Sequence, residues 1–90
     1  MGSIKIENET EFDKDQICEF YHGVADNVAR IRKERGMSQL DLSLAIGYKS
    51  VSLVAGAEAH YKNIHFNLEH LYKIAKILQV DIKDFFDFET

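Results

Sequence analysis

Residues 37–58, MSQLDLSLAIGYKSVSLVAGAE, contain two short helical patterns that meet across one glycine. Ser38 is a suitable N-cap because its hydroxyl can accept a backbone N–H of the first turn, so a helix is expected to begin at Gln39. Gly47 can adopt the left-handed backbone that ends a helix. A second helix is expected from about Ser50. Two helices joined by a tight turn containing glycine form a helix-turn-helix motif.

The apolar residues of this stretch define one inward face on each helix. Residues three or four apart share a side of a helix, so the expected core positions are Leu42, Ile46, Val54 and Ala57. Leu40 and Leu44 are also four residues apart but fall outside this face, as does Leu53. Because exposed apolar patches mark contact sites, we expect the N-terminal extension or a partner protein to cover them.

Helical spacing of apolar residues continues on both sides of the motif. A first helix is expected from about Asp13 to Gly36, with Gly23 as the position where a kink would be easiest. A fourth helix is expected after an N-cap at Asn67, and a last short helix after an N-cap at Asp81. The expected inward residues of the fourth helix are Leu68, Leu71, Ile74, Ala75 and Leu78. The sequence therefore predicts an all-α fold of five helices.

Residues 1–12 form an N-terminal extension ahead of a helix-turn-helix domain at residues 13–90. Ile4 and Ile6 alternate with polar residues, which is typical of a short strand. A lone strand leaves its backbone groups unpaired, so one hypothesis is that two copies pair here. The alternative is a frayed acidic tail, and the sequence leaves both open.

The composition indicates one small domain. At 90 residues and 46% hydrophobic, the chain is near the lower limit for a single core. The single cysteine, Cys18, excludes an internal disulfide, and we expect it to be a small buried residue. No apolar run reaches the roughly 20 residues of a membrane span, and the chain does not open on a signal peptide. A cytoplasmic location is therefore expected.

The chain is acidic overall, but its bases cluster around the motif. The net charge is −4, whereas residues 29–62 carry six bases against three acids. Four of these bases lie near the end of the first helix: Arg30, Arg32, Lys33 and Arg35. A solvated helix end, where cations complement the helix dipole, is favoured over phosphate contact for this cluster.

No catalytic or metal-binding pattern is evident in the sequence. Cys18 has no adjacent activating base, and neither a glycine-rich phosphate loop nor a nucleophile motif occurs. Three histidines recur at five-residue intervals, His60, His65 and His70, which does not match the spacing of metal ligands on a helix. We therefore expect no enzyme activity and no cofactor.

Residues 31–86 resemble the phage-repressor and Cro type of helix-turn-helix protein, also called the XRE family. The matching segments are IRKERGMSQ at 31–39, L-x-x-x-I-G at 42–47, Glu58, NLEHLYKIAKIL at 67–78 and VDIKDFF at 80–86. The resemblance implies a prokaryotic or phage transcriptional regulator that binds double-stranded DNA as a homodimer, with its third helix in the major groove of a pseudo-palindromic operator.

The resemblance also implies roles for individual residues. Phosphate contacts are expected from Gln39, at the family's phosphate-contacting position, and from Ser38, Lys62 and Asn63, the last two in a loop at 59–66 that is longer than is common in the family. The expected base-reading residues are Lys49, Ser50, Val51 and Ser52. When the third helix is aligned with the family pattern at Glu58, Ala55 and Gly56 also lie on its outward face. Because the outward residues of the third helix lack a side chain that forms two bonds to one base, direct readout should be weak.

Dimer or partner contacts are expected at apolar residues outside the core: Ile4, Ile6, Leu40, Leu44, Ile82 and Phe88. For Phe88, local packing is an equal alternative. The acidic balance and the small residues of the third helix keep a second function open. In that reading the chain is an antitoxin-like or adaptor module that binds a protein, with weak or absent DNA binding.

Overall fold

The structure is a computed structural model that describes residues 12–88. Over this range the chain forms α1 (Lys14–Glu34), α2 (Gln39–Ala45), α3 (Ser52–Glu58), α4 (Leu68–Leu78) and a 3-10 helix, η1 (Ile82–Phe86). The predicted all-α class is confirmed, but the fifth element is a 3-10 helix and not an α-helix. The expected strand with Ile4 and Ile6 lies outside the described residues.

Helix α1 runs unbroken through Gly23. It begins after Asp13, whose carboxylate accepts the backbone N–H of Asp15 at 2.8 Å. A Cβ at Gly23 would lie 3.0 Å from ring atoms of Phe88, so the glycine makes room for this ring. Phe88 thus packs against the core of its own chain, as the local-packing alternative has it.

The ends of α2 follow the expected local chemistry. The Ser38 hydroxyl accepts the Asp41 N–H at 2.9 Å, and the Asp41 carboxylate accepts the Ser38 N–H at 3.1 Å. These bonds lower the pKa of Asp41, the backbone bond most. After α2, Gly47 has a φ of +102°, which confirms its predicted role in ending the helix.

The core is built from all five elements. Its buried apolar residues are Val24, Ala25, Val28, Ile31, Leu42, Ile46, Val54, Ala57, Phe66, Leu71, Ile74, Ala75, Leu78 and Phe85. Every predicted core residue of α2 and α3 is among them. The Ser43 hydroxyl is also buried, and it has no hydrogen-bond partner among the described residues.

Four expectations about side-chain environments are wrong. Leu68 is 74% exposed because it is the first residue of α4, and Phe66 before it is buried instead. Leu53 is half-buried and packs against the core. Cys18 is exposed because the first half of α1 extends beyond the core, whose α1 members start at Val24.

The fourth concerns η1, where the Asp81 side chain makes no cap bond. The backbone carbonyl of Asp81 accepts the N–H of Asp84 at 3.0 Å instead. A backbone hydrogen bond, and not a side-chain cap, therefore begins η1. Within η1, Phe85 is fully buried, whereas Phe86 is 36% exposed and stacks on Phe20 with ring centroids 6.0 Å apart.

The start of α4 is capped by a neutral histidine. The Asn67 side chain accepts the His70 N–H at 2.7 Å, and Nδ1 of His70 accepts the Asn67 N–H at 3.0 Å. Since Nδ1 is an acceptor, the proton is on Nε2, which donates to the Tyr48 hydroxyl at 2.7 Å. Burial lowers the pKa of His70 more than the adjacent Glu69 raises it. The ring therefore joins α4 to the turn between α2 and α3.

This arrangement predicts a pH-dependent stability that His70→Gln removes. Because the pKa of His70 is lowered in the folded protein, the unfolded chain takes up a proton at a higher pH than the folded chain does. The contribution of neutral His70 to stability is therefore complete above about pH 6.5 and is lost as the pH falls. Gln at this position can still accept the Asn67 N–H without titrating. Between about pH 7.5 and 5.5, we expect the wild type to lose more unfolding free energy than the variant in urea denaturation, because only the wild type carries the imidazole of His70, whose pKa is lowered on folding. An identical pH dependence would contradict the neutral cap.

Candidate nucleic-acid interface

A buried ion pair fixes α3 against α1. Both side chains are almost fully buried, Arg32 of α1 at 7% exposed and Glu58 at the end of α3 at 6%. Nε and Nη2 of Arg32 donate to the two oxygens of the Glu58 carboxylate, each at 2.8 Å. Nη1 donates to the carbonyl of Met37 at 2.7 Å. The bonds to Glu58 raise the pKa of Arg32, against the effect of its burial.

The same carboxylate also holds α2. Nε2 of Gln39, the first residue of α2, donates to Oε1 of Glu58 at 2.8 Å. Glu58 therefore accepts three hydrogen bonds from two helices, and it sets the position of the α2 N-terminus relative to α3. Gln39 is half-buried, and the second N–H of its amide is not used by this bond.

The basic cluster of α1 has three different environments. Arg32 is buried and paired, so for this residue neither a solvated helix end nor phosphate contact is correct. Nε of Arg35 donates to the Leu78 carbonyl at 2.9 Å and links α1 to α4. Arg30 pairs with Glu34 at 3.2 Å on an exposed surface, and Lys33 is exposed, as expected for a solvated helix end.

An open cleft of about 700 Å³ lies beside this pair, between α1, the start of α2 and α3. Arg30 and Lys33 line it, but so do three carboxylates, Asp26, Glu34 and Glu58. The mixed charge gives the cleft no clear preference for an anion. Gln39, which is predicted to contact phosphate, also lines this cleft.

The residues predicted to contact phosphate lie on two segments. Ser38 and Gln39 are adjacent at the start of α2, where the Ser38 hydroxyl already caps the helix. Lys62 and Asn63 are exposed in the loop at 59–66, with the Lys62 ammonium 5.2 Å from the Tyr61 ring centroid. Ser38 is exposed and Gln39 is half-buried.

The residues predicted to read bases lie together, at the turn before α3 and at its first residue. Lys49, Ser50 and Ser52 are exposed, and Val51 is half-buried. The Ser50 hydroxyl accepts the Ser52 N–H at 3.3 Å and donates to the Ser52 hydroxyl at 3.2 Å. These bonds explain why α3 begins at Ser52, two residues later than expected.

The second half of α3 has a cover that the sequence analysis missed. A Cβ at Gly56 would lie 2.7 Å from Cδ1 of Ile64, so the loop at 59–66 packs directly on this glycine. Gly56 was expected to face outward. The signals were available in the sequence, since a glycine inside a short helix and a long following loop both suit close backbone approach.

The loop is also held to α1 by aromatic and polar contacts. Nε2 of His60 lies 2.8 Å from a carboxylate oxygen of Asp26, and its ring stacks on His22 with centroids 3.9 Å apart. The His65 ring stacks on Tyr21 at 3.8 Å. The loop that carries Lys62 and Asn63 therefore has a fixed path over α1 and α3.

Comparison with known proteins supports the architecture. A family model described as helix-turn-helix matches residues 28–85, nearly two thirds of the chain. Among curated proteins, none matches the chain significantly. In the part of the chain that the structure describes, no helix is long and apolar enough to cross a membrane. Across residues 12–88, no three His, Cys, Asp or Glu side chains are grouped as metal ligands would be.

The environment of Glu58 predicts a large effect of Glu58→Gln on stability. The substitution leaves the buried Arg32 cation without its carboxylate, which costs about 3–5 kcal/mol when one partner of a buried pair is removed. Urea denaturation should show this loss. The matched control is Glu34→Gln, whose pair with Arg30 is about half exposed, and it should change the unfolding free energy by less than about 1 kcal/mol. Equal effects of the two variants would mean that the buried pair is not the constraint described above.

Proposed function

Because the chain belongs to the XRE type of helix-turn-helix family, we propose that it is a transcriptional regulator that binds DNA as a dimer, with α3 in the major groove. The observation that carries the proposal is the match over residues 28–85, which includes both helices of the motif and the Arg32–Glu58 pair. Two copies of α3 about 34 Å apart would recognise a pseudo-palindromic site. This role implies a location with DNA, which we expect to be the cytoplasm.

In the proposed complex, phosphate contacts position the domain. Gln39 would donate its free N–H to one phosphate, with its amide held in place by Glu58. Lys62 and Asn63 would contact a second stretch of backbone from the loop. Because these contacts carry no sequence information, they set affinity and its salt dependence and not base preference.

Base reading in this proposal comes mainly from the turn before α3. Lys49 is the one long donor there, Val51 suits a thymine methyl, and Ser52 can make a single hydrogen bond. Ile64 packs on Gly56, which leaves no room for a side chain at this position of α3. Sequence preference should therefore depend largely on DNA shape and deformability.

The experiment that tests the function is a low-salt selection of random duplex DNA by the purified protein, followed by a salt titration on the enriched sequence. We expect a pseudo-palindrome whose affinity falls steeply with salt.

In the same titration Lys62→Ala should reduce the slope of log affinity against log salt concentration by about 1, whereas Lys83→Ala on η1 should leave this slope unchanged. Gln39→Ala should weaken binding to all sequences alike. Selection without enrichment would contradict the regulator.

A second candidate function is supported by the surface of α2. Leu40 is 48% exposed and Leu44 is 52% exposed, four residues apart on one side of the helix. A protein-interaction module, antitoxin-like or adaptor-like, would use this pair to bind a protein partner.

The variant Leu40→Lys/Leu44→Lys separates the two functions, because charged side chains at these positions disrupt an apolar contact and leave the core untouched. For a regulator, DNA affinity should stay within about threefold of wild type or rise with the added positive charge. For an interaction module, a partner that co-purifies with the tagged wild type should be absent from the variant. Mass spectrometry of both eluates, beside the DNA titration, distinguishes these results.

A further inference from the structure

The first half of α1 has an apolar side that the described chain leaves open. The buried residues of α1 begin at Val24, ten residues into the helix, so about 15 Å of helix precede the core. Ile17, Phe20 and Val24 follow helical spacing along this part, yet Ile17 is 44% exposed and Phe20 is 42% exposed. An isolated helix of this length is marginal in water, and its apolar side needs a cover.

Neighbouring elements extend this apolar side into a groove. The groove has a volume of about 330 Å³ and lies between α1, the start of α4 and η1. Phe20, Leu68 and Phe86 form its rim, and the buried Val24 and Leu71 contribute to its floor. We define the α1 face as a set of five exposed residues: Phe12, Ile17, Phe20, Leu68 and Phe86.

Phe12 belongs to this set because of its position at the helix end. It precedes the N-cap Asp13, and Ile17 is the fourth helical residue, the two positions that adjoin in a hydrophobic staple. Phe12 is nevertheless 76% exposed, so its ring is available for a further contact.

The α1 face carries almost no charge, although the first half of α1 is acidic. Asp15 and Glu19 are each two residues from Ile17, which places them on the opposite side of the helix. Apart from the cap at Asp13, no carboxylate of α1 lies on the apolar side before Val24. Lys14, three residues before Ile17, lines a cavity with it. Two such faces can therefore meet without repulsion between carboxylates.

We propose that the α1 face is the homodimer interface, with two α1 helices packed antiparallel about a two-fold axis so that Ile17 and Phe20 of each copy enter the groove of the other. The proposal deepens the proposed function, since it names the contact of the regulator's dimer. It does not require DNA, so it can be tested separately.

The area of the face fits a second copy. With roughly 200 Å² for each large apolar side chain, the exposed fractions amount to on the order of 500 Å² of apolar surface. A stable interface buries about 800 Å² on each partner, and about 65% of that is apolar in homodimers. The α1 face thus supplies about the apolar area that a dimer needs.

The position of the face also fits a dimer that binds DNA. Its five residues come from the N-terminal end of the described chain, α1, α4 and η1. None belongs to α2 or α3, so a second copy seated there leaves Gln39 and the turn before α3 accessible. A copy seated on Leu40 and Leu44 would instead lie beside Gln39.

The test is analytical ultracentrifugation of the full chain at about 1 to 100 μM without DNA. We expect wild type at twice the 10.4 kDa of one chain. Ile17→Lys/Leu68→Lys should weaken the dimer by on the order of a hundredfold, because each substitution occurs twice across a two-fold axis. The matched control, Leu40→Lys/Leu44→Lys, changes two apolar residues that are about half exposed and should remain dimeric.

Other results would overturn the interface. These are a monomeric wild type over the whole range, an Ile17→Lys/Leu68→Lys variant as dimeric as wild type, or a dimer lost only in the control. Ile4→Lys/Ile6→Lys in the full chain tests whether the N-terminal extension holds the copies together. If this variant alone abolishes the dimer, the contact is made by the extension and not by the α1 face.

Two further controls keep the result interpretable. Circular dichroism and thermal unfolding show whether each variant is folded, and Leu68→Lys alone, at a residue 74% exposed, replaces the double variant if that one unfolds. DNA selection on the same samples separates this inference from the proposed function. A dimer that depends on the α1 face but enriches no DNA would support the interface and contradict the regulator.

Discussion

The carboxylate of Glu58 is the constraint on which the arrangement of the motif depends. It accepts two hydrogen bonds from Arg32 on α1 and one from Gln39 on α2, so one buried anion joins three helices. Buried charges are tolerated only when they are paired and hydrogen-bonded, and here both conditions are met. The two short helices, α2 and α3, have seven residues each and gain little stability on their own. Their relative position is therefore set by this contact and by the core beneath it.

The loop after α3 has a comparable role on the other side of the motif. Ile64 packs on Gly56, while His60 and His65 stack on residues of α1. His60 and Lys62 have positive φ values, +57° and +50°, which non-glycine residues adopt only when the surroundings enforce them. The contacts to α1 and α3 supply that enforcement. The part of α1 that precedes the core thus gives the loop a surface to bind.

The sequence predicts features that depend on neighbouring residues better than features that depend on distant ones. The caps at Ser38 and Asn67 and the turn at Gly47 are set within a few residues, and all three are correct. Arg32 was misplaced because its partner Glu58 is 26 residues away, and only the tertiary fold makes that pair. Periodicity also cannot show where a helix leaves the core, which is why the exposure of Cys18 and Leu68 was not anticipated. The contact of Ile64 with Gly56 joins a loop to a helix, which periodicity does not report, although the glycine and the long loop were signals for it.

The hydrogen bond between Gln39 and Glu58 connects the structural constraint to the proposed function. A free glutamine side chain loses rotamer entropy when it binds a phosphate, which costs about 0.5–1.5 kcal/mol. Gln39 is already restricted by Glu58, so most of this loss occurs on folding and not on binding. In the proposed complex, the surface that would read bases has few strong donors, because α3 presents serine, alanine and a glycine packed against Ile64. In the proposed complex, pre-orientation of Gln39 would therefore compensate in affinity, but not in base preference, for the weak reading surface.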